Sequence, residues 1–167
     1  RHCGAKIDPS HIVAELFSLC GGIVLAISGI EFVAAVTMAV LLFNAIMDYK
    51  TRTVQSFVTY AGCFAVVLYK LYTHIDTGAI FNYCLLVFIT AIVLYVLAKV
   101  LSKYMGEGDF DIMYLLILSL GHIGFLYCLF YASIIGVAYA LIKRLNRKTQ
   151  IPFVPLLYFG YMAALII

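Results

Sequence analysis

Long apolar runs alternate with short polar breaks along almost the whole chain. A helix that crosses a bilayer core needs about 20 apolar residues, and several of these runs approach that length. The fifth run is shorter, and Gly121-His122 separates it from the next. The pattern predicts an all-α fold, a polytopic integral membrane helical bundle of about six to seven helices, one of them short. The predicted runs are Ile12–Ser28, Phe32–Met47, Val54–Tyr72, Ile80–Leu101, Phe110–Leu120, His122–Ile142 and Pro152–Ile167.

The composition favours the same class of protein. Hydrophobic residues make up 65% of the 167 residues, charged residues make up 11%, and the mean hydropathy is +1.08. A soluble core of this size cannot hide so much apolar surface, so most of it must face lipid or other helices. The net charge of +3 comes from short basic clusters between the apolar runs, so we expect no nucleic-acid partner.

The basic residues also predict how the bundle is oriented. They fall in four polar segments, and all four lie on one side if the runs 110–120 and 122–142 form an out-and-back pair. Because basic residues are enriched on the cytoplasmic side of membrane proteins, we expect this side to be cytoplasmic. Asp48 and Asp109 both lie at its edge. The basic residues are Lys6, Lys50, Arg52, Lys99, Lys103, Lys143, Arg144, Arg147 and Lys148.

Two carboxyl groups at the ends of apolar runs are the main candidates for chemistry. Asp48 follows the second run, and Asp109 ends the motif Gly106-Glu107-Gly108-Asp109. A carboxylate at membrane depth is costly, so its presence indicates a functional site. Two carboxyls that share one proton can activate a water and polarise a peptide carbonyl, which predicts an aspartic protease. Gly106 and Gly108 are expected to let the backbone turn sharply beside this pair.

Structural roles are the alternatives for these acidic residues. Asp109 could cap the helix that begins near it, and Asp48 could pair with Lys50 or Arg52. Glu15 lies inside the first apolar run, where it needs a partner or a cavity. Two other functions remain open: a transporter or channel whose carboxylates line an ion path, and a non-catalytic membrane scaffold. The transporter would need charges spread over several spans, ideally with inverted repeats.

Four segments, in order along the chain, resemble the type IV prepilin peptidase family of Gly-x-Gly-Asp membrane aspartic proteases. Three departures from the family pattern are expected to concern substrate choice rather than the carboxyl pair. Val54-Gln55-Ser56 stands where Ile-Pro-Asn is frequent, Asp111 stands where Lys is frequent, and Val154 stands where Gly is frequent. The four segments are Arg1-His2-Cys3-Gly4-Ala5-Lys6-Ile7 with Val13-Ala14-Glu15-Leu16, Met47-Asp48-Tyr49-Lys50-Thr51-Arg52, Gly106-Glu107-Gly108-Asp109 and Ile151-Pro152-Phe153-Val154-Pro155-Leu156.

The resemblance implies that Asp48 and Asp109 are catalytic and that proteolysis uses no cofactor. It implies removal of the short basic leader from prepilins and from pilin-like secretion proteins (pseudopilins) at the cytoplasmic face of the bacterial inner membrane. Members with a cysteine loop also methylate the new N-terminus with S-adenosylmethionine.

The same resemblance implies a division of the chain into two parts. Residues 1–8 would be the remnant of a cytoplasmic cysteine-containing loop, and residues 9–167 would form the membrane-embedded protease domain. Cys3 would bind a structural zinc ion only together with cysteines that this chain does not contain. Because residue 1 is arginine, we expect a further span and the rest of the loop upstream.

Overall fold

The computed structural model describes residues 9–29, 31–74, 80–101, 106–144 and 151–166. Within these ranges the chain forms six α-helices and no strand, which confirms the predicted all-α fold. The helices begin and end within a few residues of the predicted runs, but α2 continues past Asp48, which therefore lies in its last turn. The helices are α1 (Pro9–Ser28), α2 (Phe32–Thr51), α3 (Ser56–His74), α4 (Ile80–Leu101), α5 (Glu107–Ile142) and α6 (Phe153–Ile166).

The longest helix, α5, is bent at Gly121, where the sequence predicted a break. Gly121 has φ 73° and ψ 177°, backbone angles that are essentially open to glycine alone. The bend divides α5 into a first arm, residues 107–120, and a second arm, residues 122–142. At about 1.5 Å per residue the first arm is about 21 Å long, which is less than the about 30 Å of a bilayer core.

The two arms run in opposite directions along α6. The first arm begins beside the start of α6, where Asp109 and Phe153 line the same cavity, and it ends beside Tyr161. In the second arm, later residues contact earlier residues of α6. The arms therefore form the out-and-back pair on which the predicted orientation depends. The contacts are Ser119 with Tyr161 in the first arm, and Ala132 with Gly160 and Gly136 with Leu156 in the second.

Helices α2, α5 and α6 form the centre of the bundle, and α4 lies at its edge. The main hydrophobic core joins Leu41 of α2, Ile112 and Leu116 of the first arm, and Leu157 of α6. Most large side chains of α4 are instead exposed, and in a bilayer they would face lipid. These exposed residues include Phe81, Leu85, Phe88, Ile89, Val93, Val96 and Val100.

Three helical segments are long and apolar enough to cross a membrane: Phe32–Thr51, Phe81–Leu101 and Gly108–Ile142. Two shorter helices, Ala14–Ile27 and Phe153–Ile166, are also apolar. The third long segment contains the bend at Gly121, so only its second arm, at 21 residues, matches the length of one crossing. Length and composition thus identify a membrane protein.

The far end of the first arm is held by a basic residue of α3. Lys70 donates hydrogen bonds from Nζ to the carbonyl oxygens of Leu118, at 2.6 Å, and Ser119, at 3.0 Å. The last carbonyl groups of a helix lack partners within it and carry partial negative charge. Lys70 therefore stabilises the end of the arm and fixes it against α3.

Candidate active site

Asp48 is buried at the end of α2 that faces α6. Its side chain is 8% exposed, whereas Lys50 and Arg52 are both exposed. Oδ2 of Asp48 accepts a hydrogen bond of 3.1 Å from the main-chain N–H of Val154. Val154 is the second residue of α6, and the N–H groups at a helix N-terminus favour a negative group. The contact made by Asp48 thus differs from the pair with Lys50 or Arg52 that the sequence left open.

Asp109 is half-buried in the first turn of α5. The cap position of this helix is Gly106, and no side chain makes a capping hydrogen bond there. The main-chain N–H of Asp109 donates to the carbonyl oxygen of Gly106 at 3.1 Å. Because the helix begins two residues before it, Asp109 is not the N-cap that the structural alternative requires.

Asp48 and Asp109 line one cavity of about 720 Å³ between the ends of α2, α5 and α6. They are 61 residues apart in sequence, yet close enough for their charges to interact. Ligand pockets usually measure about 300–1,000 Å³, so the cavity has room for part of a peptide and a water. Besides the two carboxyls, its lining residues are Arg52, Thr53, Val54, Ser56, Gly106, Gly108, Ile151 and Phe153.

Gly106 and Gly108 also line this cavity, but neither makes a left-handed turn. Gly106 has φ −67° and ψ 144°, an extended conformation that other residues adopt, and Gly108 lies within the first turn of α5. A Cβ atom on Gly108 would lie 2.7 Å from the Cβ of Val54. The turn role expected of the two glycines stays a prediction, and Gly108 is in addition needed for close packing against the linker between α2 and α3.

That linker, residues 52–55, is tied to α2 by the fully buried side chain of Asn44. Oδ1 of Asn44 accepts a hydrogen bond of 2.8 Å from the main-chain N–H of Gln55. Its Nδ2 donates to the carbonyl oxygen of Val40, at 3.1 Å, and to Oγ1 of Thr59, at 3.2 Å. One wall of the cavity is thereby fixed to the helix that carries Asp48.

Sequence reasoning did not single out Asn44. It expected Val154 not to touch the carboxyl pair, and this was wrong, because the main-chain N–H of Val154 donates to Asp48. An amide side chain inside an apolar helix needs hydrogen-bond partners, and this was the available signal for Asn44. Val154 acts through its main chain, so its side chain gives no signal. The resemblance of the segment 151–156 to a family segment was the only indication of its importance.

Glu15, another acidic residue that the sequence singled out, does not line this cavity. Glu15 is exposed on α1. Cys3, like the whole segment 1–8, lies outside the described residues, so its role in a zinc site stays a prediction. Within the part of the chain that the structure describes, no three His, Cys, Asp or Glu side chains form a group that could hold a metal ion.

Comparison with known proteins agrees with the motifs. The model of the type IV leader peptidase family matches residues 35–141, a range that includes both Asp48 and Asp109. The match extends from α2 to the end of the second arm, over more than half of the chain, and confirms the resemblance stated above. No curated protein and no solved structure matches the chain.

Proposed function

The chain belongs to the type IV leader peptidase family, and we propose that it is a membrane aspartic endopeptidase with Asp48 and Asp109 as its catalytic pair. Family membership supports protease activity. The observation that supports the aspartic class is the shared cavity, in which one carboxyl from α2 and one from α5 face the same space. Acid–base hydrolysis by two carboxyls requires that both reach one water and one peptide carbonyl.

The proposed reaction uses the two carboxyls and water. Carboxyl groups that interact strongly titrate as a pair, and the active form holds one proton between them. The ionised member takes a proton from the attacking water, and the protonated member polarises the peptide carbonyl and then helps to protonate the leaving amine. The amide of Val154 orients Asp48 for this exchange.

We propose that the substrates are the leader peptides of prepilins and pseudopilins, cleaved at the cytoplasmic face of the bacterial inner membrane. The family description supports leader cleavage. The placement of charge supports the orientation, because the ends of α2, α4 and the second arm all lie at the cavity end of the bundle. These ends carry the exposed basic residues Lys50, Arg52, Lys99, Lys143 and Arg144.

Leader removal from a prepilin in reconstituted membranes tests the proposal. Asparagine keeps the shape of aspartate but cannot exchange the proton, so Asp48→Asn and Asp109→Asn should each reduce cleavage by about 10²–10⁴-fold. The double variant should be no worse than either single variant, because the carboxyls act as a unit. Strong cleavage by either single variant would contradict the proposal.

A neighbouring carboxyl provides the matched control. Asp111 lies two residues after Asp109 and accepts a hydrogen bond of 2.9 Å from the hydroxyl of Tyr60. Asp111→Asn should keep most of the cleavage, because Asp111 does not line the cavity of the pair. Ion flux that depends on Asp48 and Asp109, without cleavage by the unmodified protein, would favour the transporter. If the protein shows neither cleavage nor ion flux that depends on these residues, the non-catalytic scaffold is favoured.

N-methylation with S-adenosylmethionine is a separate expectation that rests on the family resemblance. Mass spectrometry of the new N-terminus tests it directly. A mass increase of one methyl group that depends on S-adenosylmethionine would support it, and an unmodified amine after complete cleavage would contradict it.

A further inference from the structure

We propose that Arg52 is a substrate-binding residue, whose guanidinium donates a hydrogen bond to one of the two leader carbonyl oxygens that precede the cleaved peptide bond. This inference rests on the proposed function, because it takes Asp48 and Asp109 to mark the position of that bond. Arg52 thus binds the main chain of the peptide, whereas the two carboxyls carry out the chemistry.

Arg52 is the one cationic side chain among the described residues that line the cavity of the two carboxyls. The residue is exposed, and Asp48, one helical turn earlier, directs its Oδ2 to the main-chain N–H of Val154 instead. An arginine side chain carries five N–H donors and no acceptor, so its ligand must supply an acceptor atom. The guanidinium is therefore available for an acceptor that the substrate brings into the cavity.

The position of Arg52 along α2 indicates which part of the substrate it meets. Helix α2 ends at the cavity, and the four residues from Asp48 to Arg52 advance about 6 Å along the helix axis. An extended peptide advances about 3.3–3.6 Å per residue, so about two residues span this distance. Under the proposed function the leader extends from the cleaved bond toward the cytoplasm, as α2 does. Arg52 is therefore level with the two peptide groups that precede the cleaved one.

The chemistry of a basic leader favours a contact between its main chain and Arg52. The basic side chains of the leader carry no acceptor when charged, and their charge repels a guanidinium. Every peptide group of the leader nevertheless presents a carbonyl oxygen. A hydrogen bond from a charged donor to a carbonyl oxygen is stronger than one between neutral groups. We therefore assign a carbonyl oxygen, rather than a side chain of the leader, as the ligand of Arg52.

The alternative role of Arg52 is to end α2. It is the C-cap residue, with left-handed backbone angles of φ 57° and ψ 31°, and its N–H donates to the carbonyl oxygen of Asp48 at 3.0 Å. Glycine is the usual residue in this conformation, which a Cβ atom disfavours. Arg144, just after the second arm, also has a positive φ of 47° and is exposed, but it does not line the cavity. Arg144 is therefore the matched control.

Substitution by glycine separates the two roles of Arg52. Glycine keeps the main-chain N–H that caps α2 and favours the left-handed backbone, but it removes the guanidinium. Arg52→Gly and Arg144→Gly should therefore have thermal unfolding midpoints within about 4 °C of each other. If only the cap matters, both variants should cleave a prepilin as the unmodified protein does. Substrate binding predicts that Arg52→Gly alone is impaired.

Steady-state cleavage of a prepilin in reconstituted membranes measures this impairment. A hydrogen bond that is equally strong before and during the reaction lowers KM and leaves kcat unchanged. We therefore expect Arg52→Gly and Arg52→Gln to raise KM by about tenfold or more, with kcat within about threefold. Arg144→Gly and Arg144→Gln should keep both constants. Substitution of either catalytic aspartate should instead lower kcat.

Changes in the substrate identify the atom that Arg52 contacts. A synthetic peptide with the leader and the cleavage site is compared with two versions, each with sulfur in place of one of the two preceding carbonyl oxygens. Sulfur is a weak acceptor, so one replacement should raise KM for the unmodified protein about as much as Arg52→Gln does. For Arg52→Gln the same replacement should have little further effect, because the partner is absent. Arg144→Gln should respond as the unmodified protein does.

Several results would overturn the inference. Unchanged KM in Arg52→Gly, an equal rise in Arg144→Gly, or independent effects of the sulfur replacements and Arg52→Gln would each do so. Loss of the Arg52→Gln effect after removal of an acidic substrate side chain would also do so, because the ligand would then be a carboxylate. If the unmodified protein cleaves and depends on both aspartates, but Arg52→Gly keeps KM, only the substrate-binding role fails. If the unmodified protein does not cleave, the proposed function fails and the role of Arg52 fails with it.

Discussion

The two ends of the first arm of α5 are held in different ways. At the cavity end the helix has no side-chain cap, and its position depends on the close packing of Gly108 against Val54. At the far end, Lys70 donates to two carbonyl oxygens, and the hydroxyls of Ser119 and Tyr161 lie 2.8 Å apart. Under the proposed function, the cavity end leaves the carboxyl of Asp109 available for chemistry, whereas the far end uses its polar groups for stability. Substitutions at the two ends should therefore separate activity from stability.

The largest effect should come from Gly108→Ala at the cavity end. The new Cβ would collide with the branched Cβ of Val54. Overpacking that forces the surrounding side chains and backbone to shift lowers the free energy of unfolding by about 1–3 kcal/mol. The start of α5 would shift, and because a misplacement of about 1 Å can cost about 10²-fold in rate, we expect kcat for leader removal to fall by at least about 100-fold.

Gly106→Ala is the matched control for this substitution. A Cβ on Gly106 would lie 3.6 Å from Oδ2 of Asp109, an ordinary contact, and its backbone is extended. Its effect on kcat should be much smaller than that of Gly108→Ala. Equal effects of the two substitutions would show that the close packing of Gly108 does not determine the position of the first arm at its cavity end.

Removing the hydrogen bond to Asp48 should have the next largest effect. Val154→Pro deletes the N–H that Oδ2 accepts, at a position in the first turn of α6 where proline is tolerated. A hydrogen bond to a charged group contributes about 1.5–3 kcal/mol, so kcat/KM should fall by about 10- to 100-fold. Val154→Ala, which keeps the N–H, should lose much less, and similar losses in both variants would rule out the amide as the cause.

Lys70→Met at the far end should lower stability and leave activity nearly unchanged. It deletes two hydrogen bonds from a charged donor, so we expect the free energy of unfolding to fall by about 1.5–3 kcal/mol, with kcat nearly unchanged below the transition. Thermal unfolding in detergent, combined with the cleavage assay, measures both quantities. Lys99→Met is the control, because Lys99 is exposed and its Nζ lies 5.6 Å from the centre of the Tyr95 ring. A large loss of kcat in Lys70→Met would contradict the separation of the two ends.

Tyr161→Phe should give the smallest effect of this series. It removes the hydroxyl that pairs with Ser119 and keeps the ring in the core, so the expected loss is about 0.5–1.5 kcal/mol in unfolding free energy. Calorimetry in detergent can measure this, with cleavage kinetics expected to stay the same. A larger effect on cleavage than on unfolding would show that Tyr161 contributes to activity at the cavity end, and would contradict the separation of the two ends.

The sequence was sufficient to predict the parts of the molecule that depend on local signals. Helix α4 was predicted at Ile80–Leu101, the range it occupies, because an uninterrupted apolar run has few other conformations in a membrane. The bend at Gly121 was visible because glycine alone tolerates its backbone angles. Asp48 and Asp109 stood out because carboxylates are costly beside apolar runs.

The remaining features depend on partners that lie far away along the chain. Asp48 contacts Val154, 106 residues later, and Lys70 contacts Leu118, 48 residues later. No local pattern predicts such contacts, because they follow from how whole helices pack. The packing of Gly108 was missed for the same reason: a glycine in a Gly-x-Gly motif suggests a turn, and its close neighbour Val54 lies on another element.

Chemical cross-linking of residues 48 and 109 tests the central claim most directly. In a variant with all five cysteines replaced by alanine, Asp48→Cys with Asp109→Cys should be joined efficiently by a short thiol-reactive cross-linker in native membranes. Asp48→Cys with Ser119→Cys, which moves the second thiol about 15 Å along the first arm, should not be joined. Efficient linkage of the first pair alone is the predicted result. No linkage of that pair, or equal linkage of both, would contradict an active site in which the two carboxyls share one cavity.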